Sequence, residues 1–256
     1  MNRIISVLAV LLVVSSMLFA QAKEMDPVAA KAYNDGNQAM KTGDFQGAIA
    51  KYDEALKTSS DYRIHYQRGV TLKKLRKYDE AEDALNKCVE ANPKFAVGFN
   101  GLGGTYFSNG KYEEAANAFK KFSELSTKEA HKKQGNEYVA RAYTKLGESA
   151  KVDGKQQQAI QYFTEAVKYH PFDAAYLLLA EVLVDNAKYT EALDAADKAL
   201  NNRKTVPRGG PLYYKGKAFL GINEVAKAKE AFEAGKKDKS YRDLCEYELK
   251  IIAETL

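Results

Sequence analysis

Catalysis needs a nucleophile, an acid–base pair or a metal-ligand cluster held at short range. The residues of this chain that could supply one are three histidines, two cysteines and one glycine-rich stretch. His65, His131 and His170 lie far apart in the sequence, and none has a second His or Cys at ligand spacing. The stretch "GFNGLGGTYFSNGK" resembles a phosphate-binding loop only in composition. Between Gly104 and Gly110-Lys111 it has one residue too many, and Tyr112 follows where Ser or Thr belongs. A dinucleotide-binding reading fails as well, because Tyr106 stands where the last glycine belongs. Carboxylates are plentiful but alternate with lysines, and no Ser/His/Asp or Cys/His set recurs at a spacing that would bring it together. The expectation is a protein with no catalytic residue, no metal site and no cofactor.

The elements that would position any such group are periodic. A turn followed by an amphipathic helix occurs six times, with its first helical residue at Phe45, Tyr78, Tyr112, Gln156, Tyr189 and Val225. Three residues later stands Ala in every copy: Ala48, Ala81, Ala115, Ala159, Ala192 and Ala228. Seven residues later stand Tyr52, Leu85, Phe119, Phe163, Ala196 and Phe232, so small and large residues share one helical face. A second helix precedes each turn and carries a small residue at a fixed slot: Gly36, Gly69, Gly103, Gly147, Ala180 and Gly216. A glycine inside a helix costs about 1 kcal/mol relative to alanine, so its recurrence needs a packing reason. The expected reason is that the invariant alanine of one helix faces the small slot of the other and lets the two cross closely.

This pattern resembles the tetratricopeptide repeat, most closely in Phe99, Leu102, Gly103, Tyr106, Gly110, Tyr112, Ala115 and Phe119. The resemblance covers residues 28–240. It implies an all-α, right-handed superhelical solenoid of helix-turn-helix units spanning 28–61, 62–95, 96–129, 140–172, 173–206 and 209–240. Departures at Ala39, Ala196 and Gly235 suit the atypical ends of a solenoid. Residues 241–256 are expected to form a helix that caps the stack through Leu244, Tyr247, Ile251 and Ile252.

Two intervals break the rhythm. "STKEAHKKQGNEYVARAYTKLGESA" opens on Ser126-x-x-Glu129, a capping-box pattern, and predicts one long helix from Thr127 to Asp153 whose segment 127–139 projects beyond its neighbours. Gly135 is the place where such a helix would be interrupted. "NNRKTVPRGGPLYY" is a loop followed by Pro211 in the first turn of a late-starting helix.

In tetratricopeptide-repeat proteins the first helices line the concave face. The resemblance therefore implies a groove bordered by Tyr33, Asn37, Arg63, Tyr66, Lys73, Asn100, Phe107, Arg141, Thr144, Glu148, Leu177, Glu181, Val184, Tyr213 and Lys217. Aromatics interleaved with cations and amides suit an extended peptide: amides bind its backbone, cations its carboxylates, and rings its apolar side chains. Members that bind heat-shock chaperone tails use a Lys/Asn/Asn/Lys/Arg clamp. The matching places here hold Tyr66, Val70, Gly101, Arg141 and Lys145, so the clamp is incomplete. The expected role is a non-enzymatic scaffold for a protein or peptide partner. The alternatives are an envelope-assembly subunit docking through the convex face or segment 127–139, and a groove for a small ligand.

Charged residues make up 29% of the chain and the net charge is +5, carried by interspersed Lys and Glu. That is a mixed-charge surface and gives no basis for nucleic-acid binding. "MNRIISVLAVLLVVSSMLFAQA", residues 1–22, reads as a signal peptide: a single Arg3, an apolar run over 4–20 and a small-x-small ending at Ala20-Gln21-Ala22. Residues 23–256 then form the exported domain, with a bacterial periplasm as the expected compartment. An uncleaved inner-membrane anchor over 4–20 is the alternative, and would be the chain's own membrane contact. Cys88 and Cys245 sit several repeats apart, too far to bridge. Cys88 is expected to pack as a small hydrophobe and Cys245 to be a free thiol.

Overall fold

The computed structural model describes residues 24–255; the signal-peptide reading of residues 1–22 lies outside them. Thirteen helices and no strand occur among the described residues. In pairs they are α1 (Pro27–Thr42) with α2 (Phe45–Ala55), α3 (Tyr62–Lys74) with α4 (Tyr78–Ala91), and α5 (Ala96–Ser108) with α6 (Tyr112–Leu125). There follow α7 (Glu129–Val152) with α8 (Gln156–Tyr169), α9 (Asp173–Asp185) with α10 (Tyr189–Asn201), α11 (Gly209–Gly221) with α12 (Val225–Gly235), and a lone α13 (Arg242–Thr255). Each helix packs on the next, which is the serial arrangement of a solenoid. First helices also touch across repeats, as in α1 with α3, α3 with α5 and α9 with α11. The first helices therefore line one side of the stack, in direct contact along α1–α3–α5 and along α9–α11–α13.

The small slot on each first helix does receive a partner, but not the invariant alanine. A Cβ on Gly36 would lie 2.6 Å from the Tyr52 ring, on Gly103 2.7 Å from Phe119, on Gly147 2.6 Å from Phe163 and on Gly216 2.5 Å from Phe232. The alanine contributes its backbone instead: the carbonyls of Ala48 and Ala81 lie 3.2 Å from the Gly36 and Gly69 positions. The slot is small because the large residue of the second helix lies across it. This accounts for the fifth repeat, where the slot is Ala180 and the facing residue shrinks to Ala196, both fully buried. Tyr52, Phe163 and Phe232 are fully buried too, and truncating a ring of that kind costs about 3–5 kcal/mol.

α7 is a single helix of 24 residues, and Gly135 does not interrupt it. Gly135 is buried where α7 crosses α6, because a Cβ there would meet Ser123 Cβ at 2.8 Å. The capping box does not form. Ser126 ends α6, its hydroxyl donating to the Phe122 carbonyl, and Lys128 precedes α7 without a side-chain cap. Segment 127–139 projects far less than expected. The Ser123 hydroxyl donates to the Lys132 carbonyl and to Asn136 Oδ1, His131 packs 5.9 Å from the Phe122 ring, and Val139 is fully buried. Only the opening turns, around 127–134, stay largely in solvent.

The cap differs from expectation in which face it buries. Cys245, Glu248 and Ile252 are buried, whereas Leu244, Tyr247 and Ile251 are 47%, 63% and 38% exposed. The repeat register explains this. Tyr214 and Ala218 of α11 pack on the preceding repeat, and one repeat length further along stand Glu248 and Ile252. α13 is therefore a seventh first helix. The positions that would face a second helix hold Glu246 and Lys250, beside the exposed Leu244, Tyr247 and Ile251. Burial pushes the Cys88 thiol up to about 12 and the Cys245 thiol up to about 11, and both cysteines are unbridged.

Candidate functional site

The first-helix wall carries two cavities. The smaller, about 370 Å³, is bordered by Tyr66, Val70, Lys73, Asn100, Gly101, Gly104, Phe107, Phe119, Tyr138 and Arg141. It gathers five predicted groove residues (Tyr66, Lys73, Asn100, Phe107 and Arg141) from α3, α5 and α7. The larger, about 620 Å³, shares Phe107 and Arg141 and adds Thr144 and Glu148 with the loops at 170–172 and 202–205.

Each side chain of the smaller cavity is placed by its helix. Tyr66 stands edge-on to Phe95 with ring centroids 5.4 Å apart, and Phe107 meets Tyr112 at 5.3 Å. Gly101 gives the floor its shape, since a Cβ there would lie 3.1 Å from Leu85 and 3.3 Å from Tyr66. Lys73, in the last turn of α3, lays its ammonium against Gly104, 2.7 Å from where a Cβ would be. Burial, with the neighbouring Lys74 charge second, holds the Lys73 pKa below the usual lysine value. At the rim, Arg141 pairs with Glu137 at 2.6 Å on its own helix.

Other predicted groove residues are committed elsewhere. Asn37 accepts the Tyr52 hydroxyl at 2.9 Å, and Tyr33 packs 6.1 Å from the same ring. Arg63 makes a two-pronged bond to Asp61, the residue capping α3, at 2.8 and 2.7 Å. The Thr144 hydroxyl donates back to the Ala140 carbonyl, Glu148 pairs with Lys145 at 2.6 Å, and Glu181 pairs with Lys151. Leu177 and Val184 are partly buried in the repeat packing. Tyr213 and Lys217 both reach Glu248 of α13, at 3.3 and 2.9 Å, so the capping helix occupies the polar groups of the sixth repeat. His65 is half-buried, and burial first, then Lys87 and Arg68, lower its pKa. No cluster of three metal-ligating side chains occurs among the described residues.

Sequence reasoning missed the loop wall of the larger cavity. Asp173, only 2% exposed, accepts the backbone N–H groups of Lys204 at 2.6 Å and Val206 at 3.0 Å, together with the Thr205 N–H and hydroxyl. These bonds outweigh burial and hold its carboxyl far below the usual range. They pin the rhythm-breaking loop to the start of α9. The break itself was visible in the sequence; its anchor, about thirty residues upstream, carried no local signal.

Family models described as tetratricopeptide repeat match residues 62–95, 98–129 and 144–207. Small glutamine-rich tetratricopeptide repeat-containing protein 2 of Saccharomyces cerevisiae is 32% identical over 104 residues, 40% of this chain and 30% of that protein. Heat shock protein STI1 of the same yeast is 29% identical over 119 residues, 46% of this chain and 20% of that protein. The chain thus spans less than a third of either relative's length. Among solved structures, YrrB, described as a TPR protein with an unusual peptide-binding site, superposes with a TM-score of 0.51 at 16% identity. That match covers 78% of this chain and 97% of YrrB, a likeness of fold.

Proposed function

The chain is a tetratricopeptide-repeat protein, and from that premise we propose that it is a non-enzymatic, exported adaptor that binds a protein or peptide partner in its concave groove. The observation that carries this reading is the smaller cavity. Three successive first helices bring three aromatic rings, an amide and two cations to one opening of about 370 Å³. Extended peptides need those groups: a polar partner for the backbone, a cation for carboxylates, and rings for apolar side chains. Relatives named for tetratricopeptide repeats and for heat-shock function support a partner-binding role. The heat-shock clamp is incomplete here, with bases only at Arg141 and Lys145, so a different peptide is proposed. Export and a periplasmic location both rest on the signal-peptide reading of residues 1–22.

The test is crosslinked capture from envelope extract with wild type and with Asn100→Ala/Arg141→Ala. Neither side chain is buried, so the double variant is expected to fold. A partner identified by mass spectrometry should be captured by wild type and lost with the variant. Capture unchanged by the variant would refute groove binding.

A further inference from the structure

Lys73 is the cation in the groove that the fold does not use. No carboxylate of the described residues lies within ion-pair distance of it, whereas Arg63, Arg141, Lys145, Lys151 and Lys217 each hold one. Its ammonium lies against Gly104 on the floor of the smaller cavity, which Tyr66 and Phe107 also line. A partly buried cation without a counter-ion is costly, and an arriving anion recovers that cost. Asn100, on the same floor, makes no side-chain hydrogen bond among the described residues, so its amide is available for a peptide backbone.

We propose that this cavity selects an internal acidic side chain of a bound segment, a glutamate or aspartate flanked by an apolar residue, with the carboxylate on Lys73 and the apolar neighbour against Tyr66 and Phe107. This rests on the groove-binding reading above. One uncommitted cation matches a single negative charge. A phosphate dianion calls for a cluster of arginines, and the arginine that lines this cavity, Arg141, is already paired. On one side α1 packs against α3, and on the other the larger cavity runs on from Phe107 and Arg141 to Leu178 of α9, so a chain can run on in both directions. The acid is therefore an internal side chain and not a chain end.

Titration of the ¹⁵N-labelled protein, followed at the Gly101 and Gly104 amides, tests this with three probes. They are acetyl-Phe-Glu-Phe-amide, acetyl-Phe-Gln-Phe-amide and acetyl-Phe-Gln-Phe with a free C-terminal carboxylate. The Glu peptide should bind about tenfold more tightly than the Gln amide, the scale of one charge-assisted hydrogen bond. The free-carboxylate peptide should bind like the Gln amide. Lys73→Gln should abolish the tenfold preference. Gly104→Ala, whose methyl displaces only the end of a flexible side chain, should weaken the preference without unfolding the protein. Equal binding of the Glu and Gln amides, a preference that survives Lys73→Gln, or a full gain from the free carboxylate would each overturn the assignment. If the peptides bind equally at Gly101 and Gly104, groove binding stands and the acid assignment falls. If no probe binds and capture survives Asn100→Ala/Arg141→Ala, both fall.

Discussion

Each of the six turns between paired helices carries one residue in the left-handed region, two positions before its second helix. The residues are Gly43, Arg76, Gly110, Gly154, Ala187 and Asn223, at φ from 56° to 86°. The shared register separates the backbone cost from everything else. For an L-residue this conformation costs roughly 1–2 kcal/mol, and glycine adopts it freely. A Cβ at Gly110 meets nothing within 4 Å, so Gly110→Ala adds strain and no clash. Its expected loss is about 1 kcal/mol. Ala187→Gly runs the other way. It removes the 1–2 kcal/mol of strain and returns roughly 0.5–1 kcal/mol of freedom to the unfolded chain, a net gain of about 0.5–1 kcal/mol. Asn223→Gly should gain less, because asparagine tolerates this region. Arg76→Gly is a poorer probe, since Arg76 also donates to the Tyr78 hydroxyl at 3.3 Å. Urea unfolding by circular dichroism measures the sum. Amide exchange at the turns locates it, because a solenoid's stability divides among neighbouring repeats. If Ala187→Gly destabilises the protein, or both substitutions move stability in the same direction, the strain argument is wrong.

Asp173→Asn should destabilise the fifth repeat at pH 7, and the gap from wild type should narrow in acid. The native carboxyl is held low, so its contribution is full above the unfolded value of about 3.9 and is lost as pH falls through the native one; urea titrations at several pH values measure this. His65→Phe, which matches the Phe99 slot, should stabilise the protein most at acidic pH. The native His65 pKa is lowered, so the wild type loses stability as pH falls below about 6.5 and the variant does not; thermal melts at pH 5 and pH 8 separate the two. Glu248→Ala leaves Lys217 without its partner and should cost about 1–2 kcal/mol, less than for a fully buried pair because Lys217 is 36% exposed. Amide exchange should quicken in α13 well before the first repeats are affected.

The helices and their serial pairing follow from local sequence, because an apolar face at helical spacing and a turn every repeat length are local signals. The all-α solenoid was legible for that reason. Gly103 and Phe119 marked the crossing of their two helices, but which of Ala115 and Phe119 lay in the slot depended on helix rotation, and the ring's reach decided it. Ser126 and Glu129 had capping-box spacing, yet Ser126 was needed to end α6. On α13, Leu244, Tyr247 and Ile251 looked like the buried stripe, while Glu248 went inside because Tyr213 and Lys217 were there to meet it.

The candidate site divides in the same way. Register placed Tyr66, Lys73, Asn100, Phe107 and Arg141 on the first-helix wall, and nothing in their spacing distinguished them from Arg63 or Lys217. What distinguishes Lys73 is the absence, among the described residues, of a carboxylate within ion-pair distance, and that is a property of neighbours distant in sequence. The sequence by itself determined the scaffold, since each repeat folds by rules read within it. Tertiary structure alone decided which polar groups remain free to bind, because every ion pair formed between helices removes a candidate that periodicity had offered.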